Sequence, residues 1–193
     1  MYLRLSPDEE SIKDIFDSFF DAECSIERVR NAEESGFDAT AWERFMETGG
    51  PGMCLPESCG GGGADLTTAA IVANLLGTYV APIPFIEHVV AARLLASLDQ
   101  NNANLPRLAT GEMIASIALQ SLRDSTNAIV PAGAIANYII GLRGDEIVVA
   151  ENTTNASPLR NTANLPIARH NFDDAMVITS GDKAHNAYLR AKS

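Results

Sequence analysis

The sequence is poor in cysteine, in basic residues, in histidine and in long apolar runs. Its three cysteines, Cys24, Cys54 and Cys59, are an odd number with no CxxC spacing, so neither a disulfide framework nor a zinc ribbon is implied. Reduced thiols of this kind fit a cytoplasmic protein. Lys and Arg number 14 against 25 Asp and Glu, which leaves −11 at pH 7. Phosphate binding needs clustered cations, so this balance argues against nucleic acid and anionic membrane as partners. No run approaches the roughly 20 apolar residues that span a bilayer. The first residues, Met1 to Asp8, lack the basic-then-apolar profile of a signal peptide. His88, His170 and His185 are scattered without metal-ligand spacing, and no serine sits in a G-x-S-x-G elbow. We therefore expect no metal site and assign no catalytic residue. The rest is ordinary for a globular chain, with 46% hydrophobic and 20% charged residues in 193, enough for one domain or two small ones.

The first half reads as helical. Ser6-Pro7-Asp8-Glu9 combines an N-cap, a proline at N1 and the glutamate of a capping box. Ile12, Ile15, Phe16, Phe19 and Phe20 follow at helical spacing and form one apolar face. A break near Asp21 to Ser25 precedes a short helix to Glu34, stopped by Gly36, and a third helix covers Ala41 to Glu47 with Trp42, the one tryptophan. A glycine-rich loop runs from Gly49 to Gly63. Asp65 then caps a helix with a stripe of Leu66, Ile71, Val72, Leu75 and Leu76 that should end at Gly77. Another apolar helix spans Phe85 to Leu98, and Pro106 opens a single turn closed by Gly111.

After Gly111 the pattern changes to strands. Met113 to Leu119 is a short buried run. Ala136 to Leu142 and Ile147 to Ala150 flank Arg143-Gly144-Asp145-Glu146 as a hairpin. The RGD tripeptide in that turn matches an adhesion motif, but a tight polar turn explains it. Further strands are expected at Leu165 to Ala168 and Ala175 to Thr179, and a helix from Lys183 to Lys192. That helix has little in this sequence to pack against, which implies further chain or a second chain.

Single motifs are weak in chemistry. Gly60 to Gly63 ahead of a helix suggests a phosphate cradle, but no Walker lysine follows and Asp65 breaks G-x-G-x-x-G, so a structural loop is the better reading. His88 lies among apolar residues, as a hydrogen-bonded core histidine would. Cys54 and Cys59 flank Pro56-Glu57 with no histidine nearby, and Glu57 reads as a brace for the loop.

The order of motifs says more. Trp42-x-x-Phe45-Met46 with Gly49-Gly50, then Pro56-Glu57-x-x-Gly60-Gly61-x-Gly63, resembles the W…G…PE..GG.G signature of the acyl-CoA dehydrogenase family. Leu75-Leu76-Gly77 with Pro82 or Pro84, Leu105-Pro106-x-Leu108-Ala109-x-Gly111-Glu112 and the strand Ala115 to Leu119 continue that family's order. Val130-Pro131-Ala132-Gly133-Ala134-x-Ala136-Asn137 is similar to its V-P-x-A-x-x-A-D segment, with Asn137 in place of the acid.

The resemblance implies an N-terminal helical domain, a middle β-domain and a C-terminal four-helix domain, with FAD held between them. On it, residues 1–111 form the all-α helical domain and 112–180 a small β-barrel-like or sandwich domain. Residues 181–193 start a C-terminal helix whose remainder is absent, and the fold class is α+β. Family members oxidise the Cα–Cβ bond of an acyl-CoA thioester, in fatty acid metabolism. A glutamate takes the α-proton and the β-hydrogen leaves as hydride to FAD. That glutamate lies in the C-terminal domain. By position, Leu119, Gln120, Val130 and Pro131 are the implied flavin-lining residues.

Two departures stand out. Gln120-Ser121-Leu122 replaces the family's T-E-P-x-x-G-S-D continuation, and Ile129-Val130-Pro131 replaces W-I-T/S. Such shortened forms resemble the degenerate halves of two-chain bacterial acyl-CoA dehydrogenases. The expected partners are an acyl-CoA substrate and either further copies of this chain or a second acyl-CoA dehydrogenase-like chain. The isolated chain is expected to be inactive. The alternatives are a non-catalytic subunit that keeps the fold without the flavin site, and an unrelated α+β interaction module.

Overall fold

The computed structural model describes residues 4–122, 126–152 and 156–192. Ser6 caps α1 (Pro7–Glu23): its hydroxyl accepts from the Glu9 N–H, and the Glu9 carboxylate accepts from the Ser6 N–H. Phe16 and Phe20 are buried, whereas Ile15 stays in solvent. Helix α2 (Ile26–Asn31) ends before the expected Glu34, because the chain turns over Ala32 and Gly36 donates back to the Ala32 carbonyl. Asp38 caps α3 (Ala39–Glu47) and Asp65 caps α4 (Leu66–Thr78). The latter runs through Gly77, the expected stop, and Leu66, placed in its apolar stripe by spacing, is exposed. Helices α5 (Phe85–Leu98) and α6 (Leu105–Thr110) follow as anticipated, with Pro106 in the first turn of α6 and Gly111 closing it. Phe16, Phe20, Trp42, Phe45 and Phe85 meet at ring-centroid distances between 5.4 and 6.4 Å. Burying each such side chain is worth about 1.5–3 kcal/mol.

Two open sheets follow. Strands β1 (Ala115–Ile117), β3 (Tyr138–Arg143), β4 (Glu146–Glu151) and β6 (Met176–Ser180) make a mixed sheet in the order β1-β3-β4-β6. Only β1 and β3 pair in parallel. Strands β2 (Asn127–Val130) and β5 (Ala168–Asn171) pair antiparallel as a second sheet. Ile139 and Val148 share one core with Ala128 and Val130 of the second sheet and with Phe172, which follows β5. Tyr138, Ile140, Leu142, Ile147 and Val149 share the other with Leu95 and Leu108 of the helices. The four-stranded sheet is thus covered on both faces, which is why β3 reads as a nearly continuous apolar run. The α+β order is the expected one, in its sandwich form, and the described residues form no closed barrel.

Three expectations shift. Strand β5 begins at Ala168, not Leu165: Leu165 is exposed and Pro166 has no N–H for a ladder. Strand β2 was not anticipated, and β1 is only the centre of the Met113 to Leu119 run. The last helix, α7 (Asp182–Lys192), does find a seat. Ala184 and Tyr188 are buried in the helix-side core, and the Tyr188 hydroxyl donates to the Ala118 carbonyl. The RGD segment is the β3–β4 turn, with Gly144 at φ +64 and Arg143 held by Glu146 at 3.2 Å, so the motif is a turn as expected.

Candidate functional site

The joint between helices and sheets is built by two aromatic residues. Trp42 Nε1 donates to the Gly111 carbonyl at 3.0 Å. His88 is fully buried edge-on to Trp42, its Nδ1 accepting from the Ala115 N–H at 3.1 Å. That acceptance puts the imidazole proton on Nε2, which donates to the Leu108 carbonyl at 2.9 Å. One ring therefore ties α5, α6 and β1 together. Burial in this apolar setting lowers its pKa to about 4, so it is neutral and structural, the core histidine the sequence suggests.

Beyond β1, Leu119 and Gln120 both face solvent at the end of the strand. Their neighbours fix them from behind: the Ala118 N–H donates to the Ile140 carbonyl and the Leu122 N–H to the Leu142 carbonyl, both at 2.8 Å. Val130 and Pro131 stand differently. Val130 is wholly buried in the inter-sheet core, so its side chain is turned away from any ligand. Pro131 is half-buried, has no N–H, and gives its carbonyl to the Ser116 hydroxyl of β1. The next carbonyl available on this loop, that of Gly133, accepts from His170 Nε2 of β5 at 2.7 Å. Ser116 and His170 thus clamp the 130–133 loop against both sheets.

Sequence reasoning missed both clamps. A serine in the middle of a buried Ala-Ser-Ile strand was the available signal, because a buried hydroxyl must find an acceptor. Replacing Ser116 with alanine is expected to leave the Pro131 carbonyl unpaired and to cost about 1–2 kcal/mol in urea unfolding.

The glycine loop is no phosphate cradle. The N–H groups of Gly61, Gly62, Gly63 and Ala64 donate to the Pro56, Gly52, Leu55 and Met53 carbonyls, at 2.8–3.1 Å. Those donors are consumed inside the loop, so none is free to hold an anion. Glu57 does not brace it with its side chain, which is exposed; its carbonyl does, accepting from Gly60 at 2.9 Å. All three cysteines are buried free thiols, and burial pushes Cys24 up to about 11 and Cys54 upward as well, away from nucleophilic character. Among the described residues, no group of three or more His, Cys, Asp or Glu is arranged to hold a metal. Nor is any described helix long and apolar enough to cross a membrane.

Comparison with known families adds the deciding observation. The sequence model described as "Acyl-CoA dehydrogenase, N-terminal domain" matches residues 6–112, more than half of the chain. The chain belongs to the acyl-CoA dehydrogenase family. Membership removes the unrelated-module alternative and gives the Trp42 and Gly60–Gly63 motifs a physical meaning, since Trp42 and the glycine loop are packing devices of the helical part. The acyl-CoA dehydrogenase IpdE2 of Mycolicibacterium smegmatis is 29% identical over 146 residues, 74% of this chain and 45% of that protein. This chain therefore spans less than half the length of that relative. Among solved structures, the ChsE4-ChsE5 complex from Mycobacterium tuberculosis superposes with a TM-score of 0.81 at 19% identity, covering 97% of this chain and 61% of that one. An acyl-CoA dehydrogenase complexed with FAD from Bacillus anthracis gives 0.80 at 20% identity, covering 97% and 40%. At such identities these two likenesses establish the fold alone.

Proposed function

We propose that this chain is one part of an FAD-dependent acyl-CoA dehydrogenase that acts on the Cα–Cβ bond of an acyl-CoA thioester and is incomplete by itself. Residues 1–111 serve as the helical domain, 112–180 as the β-domain and 181–193 as the start of a C-terminal helix. The observation that carries the reading is the fixed helix-to-sheet joint, Trp42 and His88 holding 108–115, which sets the end of β1 where Leu119 and Gln120 are presented to solvent.

The fit to a flavin is partial. Leu119 offers an apolar edge and Gln120 one amide, which suits the rim of an isoalloxazine ring. Val130 and Pro131 offer the site only a packed floor, because the first is buried and the second has its carbonyl engaged. The chemistry supplied by bound FAD is uptake of the hydride leaving the substrate β-carbon. This chain's share is positional: Leu119 excludes water, Gln120 orients through its amide, and the clamped 130–133 loop keeps the floor rigid. The α-proton acceptor and the remaining flavin contacts come from a continuation of this chain or from a partner acyl-CoA dehydrogenase-like chain. The ChsE4-ChsE5 neighbour, a complex of two different chains, supports the second of these.

The engaged Pro131 and Gly133 carbonyls favour a second reading, a subunit that keeps the fold and holds no flavin. Gel filtration followed at the flavin band as well as for protein separates the two. A colourless isolated chain that co-elutes with flavin once its partner is supplied, and loses that flavin on Gln120→Ala, supports the first reading. Flavin retained in full by the Leu119→Ala/Gln120→Ala double variant assigns the cofactor wholly to the partner, and overturns the first reading.

A further inference from the structure

The segment that carries Leu119 and Gln120 leaves the sheet at a definite point. Strand β1 pairs in parallel with β3, Ile117 opposite Ile140, and the Ala118 N–H still donates to the Ile140 carbonyl. The next anchor is the Leu122 N–H, which donates to the Leu142 carbonyl. Residues 119–121 therefore stand opposite Gly141 alone, three against one, as a bulge lifted out of the ladder. Backbone groups at the edge of a bulge must find partners outside the ladder.

At Ala118 that partner is a side chain. The Ala118 carbonyl accepts from the Tyr188 hydroxyl of α7, 70 positions along the chain. Tyr188 is buried, and Ala184, Ala187 and Ala191 share its face of the helix against the same core. Side chains this small let α7 lie close, so the ring reaches the end of β1. Burial pushes the phenol up to about 12, so it keeps its proton at neutral pH and remains a donor. The start of the helix is fixed as well, since the Gly181 N–H donates to the Asp145 carbonyl in the β3–β4 turn at 2.9 Å. Packing alone is served as well by phenylalanine. The hydroxyl answers to the Ala118 carbonyl.

We propose that Tyr188 is a positioning residue of the candidate site, holding the 119–121 bulge so that Leu119 and Gln120 face outward together. That these two residues meet a flavin rests on the proposed function; that Tyr188 places them does not. The inference makes α7, remote in sequence, part of the site.

Amide hydrogen exchange of the full chain tests it, wild type against Tyr188→Phe. The Ala118 and Leu122 amides anchor the bulge, and the Gly63 and Ala64 amides of the glycine loop serve as reference. Exchange at the anchors relative to the reference is expected to rise about ten-fold in Tyr188→Phe, the margin of one hydrogen bond. Ser6→Ala, which removes the α1 cap at a comparable cost to stability, should leave that ratio unchanged. A ratio unchanged in Tyr188→Phe would make the tyrosine a packing residue only and overturn the proposal. An equal rise in Ser6→Ala would overturn it too, because the effect would then be global. Dialysis of the completed, flavin-loaded molecule gives the second readout, and Tyr188→Phe is expected to lose flavin faster than wild type. Equal retention would show that the bulge does not serve the site, and the proposal fails. A wild type that holds no flavin in any form, with the exchange ratio still raised, leaves Tyr188 in its role while the flavin reading falls.

Discussion

Replacing His88 with leucine is expected to destabilise the chain by about 2–4 kcal/mol, a large share of a typical stability of about 5–15 kcal/mol. Leucine fills much of the volume but leaves the Ala115 N–H buried and unpaired, at about 1–3 kcal/mol, and leaves the Leu108 carbonyl with the Gly111 N–H as its remaining donor. It also loosens the edge-on contact with Trp42, at a centroid distance of 5.4 Å. The same residue sets a pH dependence. Folded His88 titrates at about 4, against 6.5 for an ordinary imidazole, so between those values the unfolded chain binds a proton that the folded chain refuses. Its contribution is complete above about pH 6.5 and is lost as the pH falls toward 4, about 3 kcal/mol in all at about 1.4 kcal/mol per unit. Carboxylates add slopes of their own, so the measurement is a comparison. Urea midpoints of wild type and His88→Gln between pH 4 and 7 should converge toward the acid end, because glutamine has no proton to gain. Parallel curves would refute the assignment.

The second large effect lies in the glycine loop. A methyl group at Gly61 would stand 2.3 Å from the Leu55 carbonyl oxygen and 2.6 Å from that of Gly52. Both are backbone atoms of the same tight loop, so no rotamer relieves the clash. Gly61→Ala is expected to cost about 3–5 kcal/mol and to release the loop from α4, which follows it. Gly77→Ala is the control. It adds the same methyl group inside a helix with nothing within 4 Å, and should stabilise by about 0.5–1 kcal/mol. Opposite signs in urea unfolding are the expected result; two losses of equal size would mean the loop contacts do not decide the outcome.

Local chemistry carried most of the element list. The capping box at Ser6 and Glu9, the Asp65 cap and the closing Gly111 are interactions within a few residues, and all stand where spacing placed them. The β-part was less legible for a physical reason. Strand β2 pairs with β5 across about 40 residues of sequence, and the spacing of a four-residue strand carries too little signal to announce that pairing. The end of α2 was misplaced because Ala32 to Glu34 suit a helix by propensity, yet the chain must turn there to bring Asp38 beside Arg28, 3.1 Å away. The candidate site divides in the same way. Leu119 and Gln120 came from position in a family pattern, whereas the burial of Val130 follows only from which sheet covers it.

By itself, the sequence determined the family, through the order of its Trp, Pro-Glu and glycine motifs. It also determined the helices-then-strands architecture, and the turn that hides an adhesion-like tripeptide. Those properties live in spacing, and spacing survives when individual residues drift. Tertiary structure alone decided that His88 is a joint, that the glycine loop spends its donors on itself, and that Ser116 and His170 hold the 130–133 loop. Each of these depends on what arrives from a distant part of the chain: Leu108 and Ala115 at one ring, and Pro131 and Gly133 at two strands.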